Sequence, residues 1–473
     1  MKKFFWVFAM VCLSTGLFAQ ESWSLQKCIE YAVDNSLNLR NATYAKENAA
    51  INLIQSKRSQ YPTLNAGVNT SLNFGRTIDP TSNDFIVANF FSNNYSVSSG
   101  VLLFNGFRLR NQIKQADDNL KSAILDLDQQ ERNLKLDVAT AYVNALFSKE
   151  RVSIAEGNLE LSNQQVLQTQ RLIDAGNAAP NDIYNFQSQQ AQNNQQLVAA
   201  KNEYAMSLLQ LKQLMNLDIA TNIDVIAPET VTDLTDPLTV EMSTLMQRGS
   251  ANQPSLKARE FDVLAAEKGI EIAEASFYPS ISFGGNLITN YSNKGREVTG
   301  FNTERINQTI FLDNTPVVVG FENQVPILSN KPYTSQIGDN LSYGFGLNVN
   351  IPIINNYQAK GSVARAKLGL EQARLAYDIE KQTLTSQIQR AYADALNARS
   401  SLEATNVTLN TEQTAYEAAQ KRYDIGAINA FDLTNAQTRV EIAKANQLNA
   451  KYEFIFRSKL LDFYLGKELK LND

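Results

Sequence analysis

Apolar residues recur every seven positions at Ile113, Leu120, Leu127, Leu134 and Ala141, and again at Val363, Leu370, Tyr377, Leu384 and Ala391. A sustained heptad predicts long, packed, supercoiled helices. The helical pattern covers 107–175 and 357–425, two runs of equal length. At 1.5 Å per residue each run reaches about 100 Å, longer than a compact domain allows. Four shorter runs, 24–58, 180–216, 241–276 and 429–465, are about half as long, so two end to end match one long helix. Gly176 and Gly426 mark the ends of the long runs, with Pro180 just past the first, because a helix commonly stops at a residue in the left-handed region.

Between helices the period changes from seven to two. Leu64, Ala66, Val68, Thr70, Leu72 and Phe74 alternate with polar or small neighbours, as do Tyr95, Val97, Ser99, Val101 and Leu103. Ile281, Phe283, Gly285 and Leu287 repeat the pattern, followed by Tyr343, Phe345, Leu347, Val349 and Ile351. Segments of about ten residues with this alternation fit membrane-crossing strands of a β-barrel, one face to lipid and the other to the lumen. A small soluble sandwich is the competing reading. Four strands cannot close a barrel, since the smallest known use about eight, so closure requires several chains.

The two halves align at constant offsets. Tyr61-Pro62 recurs as Tyr278-Pro279, placing Pro62 and Pro279 at equivalent helix-to-strand junctions. The offset then lengthens and stays fixed: Asn105 matches Asn355, Ala141-Tyr142 matches Ala391-Tyr392, and Asp182 matches Asp432. The extra residues of the second half fall within about 292–340, a polar stretch read as a surface loop. The expected organisation is a signal peptide 1–19, a first repeat 20–217, a linker 218–240, a second repeat 241–466 and a tail 467–473. Asn105-Gly106 resembles a hairpin turn, but the heptads that follow make it a strand-to-helix junction. Gly344-x-Gly346 has Val349 where a dinucleotide loop needs a third glycine.

Composition narrows the chemistry. Lys2 and Lys3, an apolar stretch and small residues ending at Ala19 have the layout of a secretory signal peptide. The formal charge is −5, and more acidic once those lysines are removed, which argues against nucleic acid as a partner. Cys12 lies in the signal, leaving Cys28 as the one cysteine of the mature chain, and there is no histidine. The usual general base and the commonest transition-metal ligand are therefore missing, so neither catalysis nor a cofactor or metal is expected. A lipid anchor on Cys12 is disfavoured by the Ala9-Met10-Val11 that precedes it.

The Tyr-Pro strand entries, the paired turns Arg171-Leu-Ile-Asp-Ala-Gly176-Asn and Arg422-Tyr-Asp-Ile-Gly426-Ala, and the twofold repeat together resemble the outer-membrane efflux proteins of the TolC type. The resemblance implies a mainly α fold with β: a long α-helical barrel joined to a transmembrane β-barrel with four strands per chain, assembled as a homotrimer. It implies a passive exit duct in outer-membrane lipid with a periplasmic helical extension, docked at its tip by a periplasmic adaptor and an inner-membrane pump. In relatives the docking turn is Val-Gly-Leu-like; here only Gly176 and Gly426 are kept. Asp432 matches a first ring of gate carboxylates, while the second ring position is Asn435. Asp182 is the equivalent in the first repeat, and Tyr423 matches a tyrosine that bonds to it across the tip. Each Asp has the plainer role of favouring a helix start, and each glycine that of ending a helix. The Gln/Asn run 187–196 reads as hydrated lumen or periplasmic surface. The alternative function is a periplasmic coiled-coil adaptor, which predicts one helical hairpin between compact β domains and no paired alternating strands.

Overall fold

The computed structural model describes residues 21–78, 85–87, 89–176, 179–226 and 236–467. The expected signal peptide with Cys12, Asn177 of the first tip turn, residues 227–235 of the linker and 468–473 of the tail lie outside the described residues.

The first half contains β1 (Glu21–Trp23), α1 (Leu25–Asn35), α2 (Leu37–Arg58), β2 (Thr63–Asn73), a short pair β3 (Arg76–Ile78) and β4 (Phe85–Val87), β5 (Phe90–Asn105), α3 (Arg108–Asp174), α4 (Asp182–Met215) and β6 (Ile223–Val225). The second contains α5 (Met242–Asn252), α6 (Pro254–Glu274), β7 (Ser280–Ser292), β8 (Arg296–Leu312), β9 (Thr315–Asn330), α7 (Tyr333–Asp339), β10 (Ser342–Asn350), α8 (Gln358–Asp424) and α9 (Ala430–Tyr464). Helices α3 and α8 have 67 residues each and occupy equivalent positions in the two repeats. No helix among the described residues is long and apolar enough to cross a membrane.

Two of the half-length helices are broken, where the periodicity predicts continuity. Ser36 (ψ 122°) separates α1 from α2, and Gln253 (ψ 116°) separates α5 from α6. The two breaks share the offset that relates Tyr61 to Tyr278, so they belong to the repeat. The Ser36 hydroxyl accepts from the Leu39 amide and starts the next helix. Pro254 bars Gln253 from helical geometry and itself suits a first helical turn.

Two compact units emerge: residues up to Ala50 with Asp118–Leu264 and Glu371 onward, and Ile51–Asp117 with Ala265–Leu370. In the first, Cys28, Ala32, Val138, Tyr142, Leu211 and Met215 pack around the parallel pair β1–β6. The Tyr142 hydroxyl lies 2.9 Å from the carbonyls of both Trp23 and Ile226, tying both strand ends to α3. Lys149 donates to Asp224 and to the Val225 carbonyl (2.8 and 2.7 Å). A second core gathers Leu245, Leu384, Ile388, Ala391 and Leu461. Of the heptad positions, Ala141, Leu370, Leu384 and Ala391 are buried within one chain and the rest are partly covered.

The second unit holds an antiparallel sheet of order β10-β7-β5-β2. Its register pairs Leu64 with Ser99, Val97 with Leu287, and Leu287 with Tyr343. One face therefore carries Leu64, Val68, Val97, Phe283, Leu287 and Phe345, all exposed. The opposite face carries Asn65, Gly67, Ser98, Gly100, Asn286 and Asn348. Phe283 and Phe345 stack at 6.4 Å on the apolar face. Gly285 makes room for this, since a Cβ there would meet the Phe345 ring at 2.7 Å.

The insertion at 292–340 is not a loop. β8 and β9 form a long hairpin, paired from Arg296↔Asn330 to Leu312↔Thr315. Its tight turn is Asp313-Asn314, with φ of 46° and 63°, the double left-handed geometry that matches strand twist. Polar composition concealed it; β-branched Ile306, Ile310 and Val317–Val319 supply the strand preference. At its base Gln336 bonds both the amide and the carbonyl of Ser292 at 2.9 Å, replacing a strand partner. Asn105-Gly106 is a strand-to-helix junction: Gly106 and Phe107 have φ of 65° and 64°, as Asn356 and Tyr357 do in the second half (49° and 68°).

Candidate functional site

Four helix ends meet in the first unit. The last turns of α3 and α8 and the first turns of α4 and α9 share an apolar cluster in which Phe186, Ala430 and Leu433 are buried against Val166, Tyr416, Ala419, Tyr423 and Ile428. Phe186 meets Tyr423 edge-on at 6.0 Å, a favourable aromatic geometry. α3 closes with Gly176 at φ 73°, its amide on the Ile173 carbonyl at 2.9 Å; α8 closes with Gly426 at φ 70°, its amide on the Tyr423 carbonyl at 2.8 Å. The Ala427 amide also reaches the Arg422 carbonyl at 2.8 Å, completing a two-bond helix stop. A Cβ at either glycine would touch nothing within 4 Å, so backbone conformation and not space calls for glycine.

Asp182 is the first residue of α4 and Asp432 the third of α9. The Asn429 side chain caps α9 by accepting from the Asp432 amide at 2.8 Å, leaving the Asp432 carboxylate exposed. Burial pushes the Tyr423 phenol upward, a side-chain bond with Thr169 opposes this, and the charges of Asp182 and Asp424 add to the rise. Asp182 thus acts on Tyr423 through charge, and the side-chain bond of the tyrosine is to buried Thr169, a residue the sequence reading passed over. Gln170 donates to Asp174 and Gln420 to Asp424 (2.7 and 2.9 Å), the same contact at the equivalent place in both repeats.

A buried polar layer lies further along the same helices. Glu441 of α9 accepts from Gln437 at 2.9 Å and from Asn193 and Gln189 of α4 at 3.4 Å each, while Asn193 also donates to the Asn158 carbonyl of α3 at 3.1 Å. Burial raises the Glu441 carboxyl above the usual range; bonds from Gln437 and Asn193 and the charge of Lys444 oppose this. The Gln/Asn run 187–196 is therefore not all wetted surface: Gln189 and Asn193 are buried, while Gln187, Gln192, Gln195 and Gln196 are exposed. The visible cue was on α9, where Gln437 and Glu441 share the face of Leu433 and Val440.

Pro62 and Pro279 stand immediately before β2 and β7, where a strand needs no ladder donor. Arg108 donates to Ser276 at 2.6 Å beside the second junction, and a Cβ on Gly106 would lie 2.7 Å from that of Tyr278, so the chain passes closely there.

The profile described as outer membrane efflux protein matches residues 28–217 and 245–467. The outer membrane protein TolC of Vibrio cholerae is 22% identical over 465 residues, covering 96% of this chain and 93% of that protein. The outer membrane efflux protein BepC of Brucella suis is 19% identical over 362 residues, 76% of this chain and 69% of its own. In fold, the outer membrane protein VceC of Vibrio cholerae superposes with a TM-score of 0.74 at 13% identity, over 94% of this chain and 97% of that one. The CusC channel does so with a TM-score of 0.74 at 17% identity, over 94% and 92%. Two pairs of alternating strands joined in one sheet, together with these likenesses, set aside the adaptor reading. The chain belongs to the outer membrane efflux protein family and is an outer-membrane channel of the efflux and secretion type.

Proposed function

We propose that three copies, each with repeats at 20–217 and 241–466 joined through 218–240, close their four-stranded sheets into one twelve-stranded barrel. Together they would form a passive duct, not an enzyme, from the periplasm to the exterior. The observation that carries this is the sheet itself. Its outer strands β2 and β10 each have one unpaired edge among the described strands, and one of its two faces is apolar with its large side chains exposed. Open edges and lipid cannot coexist, because each unpaired backbone group in hydrocarbon costs several kcal/mol, so neighbouring copies must supply the missing partners.

The four helix ends suit a periplasmic gate. Asp432, Asp182 and Tyr423 would stand at the constriction, and the turns at Gly176 and Gly426 would receive a periplasmic adaptor coupled to an inner-membrane pump, which supplies the energy. Exposed carboxylates repeated around a threefold axis repel one another and draw cations. The test is conductance of the detergent-purified oligomer in planar bilayers, with its mass measured in parallel. Small cation-selective currents from a trimer, altered by Asp432→Ala, are expected. Unchanged currents remove Asp432 from the gate; a protein that never conducts, or a dimer, overturns the duct as drawn.

A further inference from the structure

On the polar face of the sheet, register places Thr63 beside Gly100, Gly100 beside Gly284, and Gly284 beside Gly346. Four adjacent strands thus contribute one level of the wall, and three of the four residues lack a side chain. An open groove of about 440 Å³ follows this row, flanked by Leu102, Ser282 and Asn348. None of these glycines has a positive φ, and a Cβ at Gly346 would meet nothing within 4 Å. Neither backbone geometry nor crowding explains Gly346, although glycine inside a strand weakens it by about 0.5–1 kcal/mol relative to alanine. A glycine so placed marks a surface that something else approaches closely.

The second observation is electrostatic. Strands β2, β5, β7 and β10 contain no Asp, Glu, Lys or Arg, in a chain where 19% of residues are charged. A lipid-facing strand must exclude charge from its apolar face, but the other face is free to carry it and usually tunes selectivity by doing so. Here that face offers mainly hydroxyls, amides and glycine, with Phe90, Leu102 and Ile288 as its apolar members and no charge. Fixed charges elsewhere fade beyond about 8–10 Å at physiological salt.

We propose that Thr63, Gly100, Gly284 and Gly346, repeated in three copies, form a belt of the barrel bore with neither bulk nor charge. The barrel then admits anionic, cationic and uncharged amphiphilic cargo alike, and any choice by charge is left to the helical end. This rests on the duct reading, since the belt exists only if the sheet walls a pore.

The test uses the full-length protein in outer-membrane vesicles, with Gly346→Cys, Ser98→Cys and Leu347→Cys. Native Cys28 is silent because it is buried, with its thiol pushed up to about 12. Membrane-impermeant thiosulfonates bearing a quaternary ammonium or a sulfonate report on the bore. Both should modify Gly346→Cys and Ser98→Cys, at a rate ratio equal to that on a free cysteine in solution, and neither should modify Leu347→Cys on the opposite face. A preference of about tenfold or more for either charge, as a lining of one sign produces, overturns the belt. So does modification of Ser98→Cys with protection of Gly346→Cys. Equal reactivity of Leu347→Cys and Gly346→Cys shows instead that the sheet is no membrane wall, and the duct reading fails with it. Should Gly346→Cys not assemble, Ser98→Cys alone still reports the charge ratio.

Discussion

The four-stranded sheet and the four helix ends solve opposite problems. The sheet has no charge, keeps its backbone paired across strands, and leaves its large side chains exposed: Leu64 is 74% and Phe345 77% accessible in one chain. Around the helix ends, Arg171, Asp174, Lys421, Arg422, Asp424 and Asp432 crowd within a few turns, and Phe186, Ala430 and Leu433 are hidden in a shared cluster while Ile425 and Phe431 stay exposed among the charges. A continuous, charge-free apolar face fits an apolar medium, whereas single apolar residues set among charges are ordinary in water. The contrast between the two regions therefore reads out which solvent each one meets.

The comparison breaks most severely by moving a charge to the wrong face. Val97→Arg should cost about 2–4 kcal/mol per chain near the bilayer midplane and abolish assembled oligomer in the outer-membrane fraction, whereas Ser98→Arg, at the adjoining position, should assemble near native levels. At the helical end, Phe186→Ala should cost about 3–5 kcal/mol by emptying the shared cluster, read as a lowered thermal transition followed by circular dichroism.

A smaller effect comes from Glu441→Gln. The carboxyl of Glu441 has a higher pKa folded than unfolded. It therefore adds to stability in full below the ordinary carboxylate pKa, and that contribution is lost as pH rises through the folded value. The transition temperature of the native protein should fall over this window and that of the Gln variant should be flatter. Equal slopes would remove the polar layer from the pH response. Asp432→Asn should be the mildest for folding, about 0.3–1 kcal/mol from the lost charge at the start of α9, visible in denaturant titration.

Much of the fold was legible because its periods are strong and stated twice. Heptads at matching places in the two halves located α3 and α8 closely, and alternation located the four strands of the sheet. The misses share one cause, which is that a local exception outvoted a regional pattern. Ser36 and Gln253 each interrupt a helix through a single backbone rotation, and Asp313-Asn314 turns a polar stretch into a hairpin through two. At the helix ends, Gly176, Gly426, Asp182 and Asp432 could be located by the repeat offset. Thr169, Phe186, Gln189 and Asn193 could not, because their importance comes from what the partner helix presents, and Glu441 faces Ala191 in the repeat alignment instead of another acid.

The hairpin β8–β9 has a consequence for symmetry. Long helices, half-length helices and sheet strands recur in both halves of the chain, so the proposed trimer would present six nearly equivalent faces. The long hairpin occurs once, and its counterpart in the first half is the short pair β3–β4. A partner that recognises the duplicated helices would meet a quasi-sixfold surface and could seat as many as six copies. One that recognises the hairpin would find three places, with no second register in which to sit.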